Sequence, residues 1–149
     1  MNGVSACAIL PDLELPLHEG AATNLRSFCG QKLVLVFCPA GDPKVMAAEM
    51  DSYRALAESF QGAGAWILVI VASPAHLPRA GGGPHIHIHI GIDKDGAIFR
   101  AVLDCLPGGL AVKPVDGLTI VIDRDGSVRE AWPGHGHGRK ALASARERP

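Results

Sequence analysis

The spacing of hydrophobic positions changes along this chain, and each change marks a new element. Leu33 to Phe37 is an unbroken apolar run, the pattern of a strand buried on both faces. Pro39-Ala40-Gly41-Asp42 marks a turn. Met46, Met50, Tyr53, Ala57 and Phe60 then recur at helical spacing and give one helix an apolar face. Asp42 suits the N-cap and Pro43 the first helical position. Gln61-Gly62-Ala63-Gly64 closes the helix with a left-handed glycine cap. Trp66 to Ala72 is a second buried strand. Strand, helix and strand over this length imply a right-handed parallel crossover.

Around this unit the pattern is more broken. Ala8 to Leu25 reads as two short extended pieces about a turn at His18-Glu19-Gly20, and Cys29 in the following Leu25 to Gly30 is structural or incidental. Ser73 to Pro84, with internal prolines and three successive glycines, predicts a mobile loop with at most one helical turn near Ala75-His76-Leu77. His85 to Ile90 alternates with period two, which places isoleucines on one face of a strand and histidines on the other. Asp93 to Gly96 is a turn and Ala97 to Leu103 a short helix. Cys105 to Val115, rich in Gly and Pro, is loop. Leu118 to Ile122 and Ser127 to Ala131 form a hairpin about Asp123-Arg124-Asp125-Gly126. Gly134-His135-Gly136-His137-Gly138 precedes a terminal helix from about Arg139.

Composition narrows the class. The 149 residues suit one domain, with 48% hydrophobic and 19% charged residues, and no internal repeat is visible. A formal net charge of -1 points away from nucleic acid and membrane partners. The basic segment Arg139 to Arg148 reads as a solvated helix face. The chain shows no secretory signal and no apolar run long enough to span a bilayer, which points to the cytoplasm. Cys7, Cys29, Cys38 and Cys105 have no C-x-x-C spacing, so free thiols are expected there.

The segment Pro39-Ala-Gly-Asp-Pro43-Lys-Val-Met46 resembles the active-site frame P-x-x-x-T-x-x-C of peroxiredoxins. These belong to the alkyl hydroperoxide reductase/thiol-specific antioxidant family, and the likeness is nearest its bacterioferritin-comigratory branch. The flanks agree in order: Asp93-Lys94-Asp95-Gly96 is similar to the family's S-D-x-D-G, and Thr119-Ile-Val-Ile-Asp-Arg-Asp-Gly-Ser-Val to its T-F-L-I-D-x-D-G-x-I. The resemblance covers roughly residues 8–132. It implies an α/β, thioredoxin-like fold, with a central mixed sheet flanked by helices and an N-terminal hairpin extension. It places the His85–Ile90 strand at one sheet edge and the strand before His135 at the other.

In that family a Cys thiolate attacks the peroxide, a Thr hydroxyl and backbone N–H groups position it, and an Arg stabilises charge. The resemblance puts Pro39 at the family's Pro, Pro43 at the Thr, Met46 at the Cys and Gly117 at the Arg. Methionine cannot ionise, proline has neither hydroxyl nor N–H, and glycine has no side chain. The expectation is a binding or regulatory module without peroxidase activity, meeting a protein partner or a small ligand, as a monomer or homodimer and without a cofactor. One alternative is a residual thiol peroxidase on Cys38, which ends the central strand beside the same turn. The other is weak zinc, nickel or copper binding through His85, His87 and His89, whose neighbours on one strand face lie about 6.5–7 Å apart. The bland reading of the same histidines is a polar outer face that discourages strand-to-strand aggregation.

Overall fold

In a computed structural model of the chain, residues 14–17, 22–24, 28, 30–38, 43–72, 88–104, 106 and 116–147 are described. Among them β1 (Glu14–Pro16) and β2 (Ala22–Asn24) form an antiparallel pair. A second sheet contains β3 (Lys32–Phe37), β4 (Ala65–Val71), β5 (Ile88–Ile92), β6 (Leu118–Ile122) and β7 (Val128–Pro133), in the order β5-β4-β3-β6-β7. β3 runs parallel to β4, and β4 to β5, while β6 and β7 run antiparallel to their neighbours. The helices are α1 (Pro43–Gly62), α2 (Ala97–Asp104) and α3 (Gly138–Arg146). This is the mixed α/β arrangement expected, with β5 and β7 at opposite edges.

Alternation along β3 sets the layers. Leu33, Leu35 and Phe37 join one core with Ile98, Phe99 and Val102 of α2 and Leu15 of β1. Val34 and Val36 join the other, with Met46, Met50, Tyr53 and Phe60 of α1 and Ala141, Leu142 and Ala145 of α3. The apolar stripe of α1 therefore lies on the sheet, and burying a side chain such as Phe60 contributes about 3 kcal/mol. α1 ends where Gly64 takes a φ of +75°, as the glycine cap predicts. None of the described helices is long and apolar enough to cross a membrane.

Two contacts tie distant parts of the chain together. Leu15 lies over Gly91, where a Cβ would stand 2.7 Å from its side chain, and Leu17 bridges to Gly91. Only glycine lets the N-terminal hairpin sit this close to β5. At the other end of the sheet, the buried ammonium of Lys32 donates to the carbonyls of Ala145 (2.7 Å) and Glu147 (3.3 Å), closing the C-terminus of α3.

The period-two reading of the histidine strand holds for the residues described. Ile88, Ile90 and Ile92 pack toward the α1 side, and His89 faces the opposite way. The histidine face is not open at His89. Its ring stacks on Trp66 at 5.2 Å and meets the edge of Phe28 at 5.7 Å, and His89 is half-buried. His85, His87 and the loop Ser73 to Pro84 lie outside the described residues.

Candidate functional site

Cys38 follows the last residue of β3, at the end of the sheet where the parallel strands finish. Its N–H donates to Ile70 O at 3.0 Å, so the chain stays in register with β4 one residue past the strand. The side chain is 5% exposed and lines a cavity of about 240 Å³, with Phe37, Ile70, Val71 and Phe99 as apolar walls. Burial pushes the thiol up to about 12, and the carboxylate of Glu49 adds to the shift.

Asp93 supplies polarity to the same cavity, and its side chain is already committed. One carboxylate oxygen accepts from Ile98 N (3.2 Å) and the other from Phe99 N (2.9 Å), which caps α2. The expected turn at Asp93–Gly96 is thus a helix cap, with Gly96 at φ +76°.

On the α1 side of β3, Met46 stands in the first turn of the helix and is 1% exposed. It is packed in one core with Val34, Val36, Met50 and Tyr53. Pro43 is the first residue of α1. Gly117 precedes β6 with a φ of +86°, and its carbonyl accepts from Gly134 N at 2.9 Å. Pro39 and Cys105 lie outside the described residues.

Glu49 is the site residue that sequence reading missed. It is 4% exposed, and its carboxylate accepts the N–H of Gly136 at 2.9 Å. A carboxylate inside the apolar stripe between Met46, Met50 and Tyr53 was the available signal. Beside it, burial raises the hydroxyl of Tyr53 and the Thr119 hydroxyl works against that rise. The Tyr53 and Thr119 oxygens have no hydrogen-bond partner of good geometry, so their approach is a loose contact.

The glycine-histidine run after β7 serves backbone geometry. Gly134 and Gly136 sit at φ +90° and +81°, in the left-handed region. His137 Nε2 meets Pro133 O at 2.9 Å, and its ring stacks on Trp132. Among the described residues no group of three His, Cys, Asp or Glu side chains is placed to hold a metal ion.

The fold is shared with solved peroxiredoxins. Peroxiredoxin Q of Xanthomonas campestris is 24% identical, with a TM-score of 0.74 over 98% of this chain and 96% of that one. The bacterioferritin comigratory protein of Xanthomonas campestris, described for its alkyl peroxide reduction activity, is 25% identical, with a TM-score of 0.74 over 98% and 95%. Peroxidoxin BcpB of Mycobacterium tuberculosis is 25% identical, with a TM-score of 0.67 over 93% and 94%. A search among curated proteins found no match. The AhpC/TSA family profile matches residues 8–131, which is most of the chain, and the chain belongs to the AhpC/TSA family.

Proposed function

We propose that this chain keeps the peroxiredoxin fold, has lost the peroxidase chemistry, and works as a binding or regulatory module. The observation that carries this reading is Met46. The frame beginning at Pro39 puts it where the family has its thiolate, and it is 1% exposed in an apolar core. A thioether there has no anionic form to attack a peroxide oxygen. Pro43 brings neither hydroxyl nor N–H, and Gly117 no cation. The three roles of the family site are therefore empty together.

Cys38 supports a second reading, a residual thiol peroxidase, because it lines the cavity at the end of β3. Its chemistry counts against that role. With a pKa of about 12, roughly one thiol in 10⁵ is ionised at pH 7.

Peroxide consumption by the purified protein, with dithiothreitol as reductant, tests both. The expected result is no turnover above a buffer control, and little gain in Met46→Cys, since Pro43 and Gly117 still leave a new thiolate unsupported. Thiol-dependent turnover that disappears in Cys38→Ala overturns the proposal in favour of the second reading.

A further inference from the structure

We infer that the trough between α1 and the start of α3 docks an acidic amphipathic helix of a partner protein. The trough has a volume of about 700 Å³. Its floor is apolar, made by Val45, Ala48, Ala55 and Leu56 along one side of α1. Its rim is basic: Lys44 comes from α1, His135 from the turn after β7, and Arg139 and Lys140 from the first turn of α3. All four rim residues are exposed. The one carboxylate in the lining, Glu49, is buried and bonded to Gly136 N–H, and the cations of Lys44, Arg139 and Lys140 outnumber it. The α3 N-terminus has no side-chain cap, and its dipole adds to the same positive field.

Shape and charge together select the occupant. Ala48 and Ala55 stay exposed, so the trough is open along its length. A small ligand would lie half in water here, whereas enclosed sites cover most of their ligand. From Val45 to Leu56 the floor runs about 16.5 Å at ~1.5 Å per residue, the length of three turns of a docked helix. An apolar stripe laid on the floor, with acidic side chains toward the rim, satisfies both features.

This inference takes up the binding-module reading, yet its test uses no peroxide, so either can fail alone. The probe is a fluorescein-labelled synthetic helix with leucines on one face and glutamates on the other. A control peptide replaces every glutamate with lysine, and phosphatidylglycerol vesicles are a third probe. Fluorescence anisotropy should show the acidic peptide binding, with affinity falling as salt rises. Lys44→Glu/Arg139→Glu/Lys140→Glu should weaken it at least ~30-fold. Ala48→Arg should weaken it at least ~10-fold while adding positive charge, which separates the trough from charge alone and needs no buried change. Equal binding of the two peptides, no binding of the acidic one, an unaffected Ala48→Arg, or tighter binding to the vesicles would each overturn it.

Discussion

The end of β3 and the trough beside α1 share one helix and have opposite character. At the end of β3, two sulfur side chains, Cys38 and Met46, are 5% and 1% exposed, and neither carries charge at neutral pH. In the trough, Lys44, Arg139 and Lys140 are exposed and permanently charged. Burial keeps both sulfur side chains of the first place away from solvent. Exposure at the second leaves charge and apolar surface side by side, which is what recognition of another molecule requires. Within α1 the switch takes two residues, from Lys44 at the rim to Met46 in the core.

The sharpest way to break this contrast is at Met46. Met46→Ala should cost about 2–5 kcal/mol, the range for truncating a buried side chain, seen as a lower midpoint in urea unfolding. A cost below ~0.5 kcal/mol would mean that Met46 does not fill a core at all.

Next comes the alkaline limb. An acid whose pKa is raised in the fold stays protonated there while the unfolded chain ionises. Stability from Cys38 is therefore intact below its ordinary value of 9.0 and is lost as pH climbs toward about 12. By pH 11 the loss should be roughly 2–3 kcal/mol. Tyr53, also raised by burial, pulls the same way. Comparing urea midpoints at pH 8 and pH 11 should show a smaller drop in Cys38→Ala than in the parent. Equal drops would place the Cys38 thiol in a wetter setting than its burial implies.

The smallest effect is at Gly117. Placing an Arg there forces a side chain onto a φ of +86°, at a cost of about 1–2 kcal/mol in thermal or urea unfolding. Gly117→Arg should therefore destabilise, and Gly117→Arg in a Met46→Cys background should be less stable than Met46→Cys alone. An unchanged midpoint would show that this backbone accepts the family's cation without strain.

Much of this architecture was legible in the chain. Leu33 to Phe37 read as a strand buried on both faces, and its alternate residues do enter two separate cores. The helical spacing from Met46 to Phe60 marked the buried face of α1. What lies over a face is a different question, because period two says only that sides alternate. Nothing in His-Ile-His-Ile told that Trp66 and Phe28 would close on His89. Glu49 is not legible as a site residue because a carboxylate in a helix usually points to water, and its partner Gly136 is remote in sequence. The trough was illegible for the same reason, since Lys44 and Arg139 become neighbours only after α3 packs on α1. In Gly-His-Gly-His-Gly the path of the backbone is set by Gly134 and Gly136, in the left-handed region.

The Lys32 contact bears on how this protein is made. Its ammonium sits at the start of the central strand, and the carbonyls that receive it belong to Ala145 and Glu147. Those carbonyls are synthesised after every described strand of the sheet. Until then the emerging chain can pair β3 with β4, but it carries a charge at the foot of that sheet with its final acceptors still unmade. Closing the C-terminus of α3 thus waits on Ala145 and Glu147, and a chain cut short before Ala145 leaves a cation in place of a closed helix end.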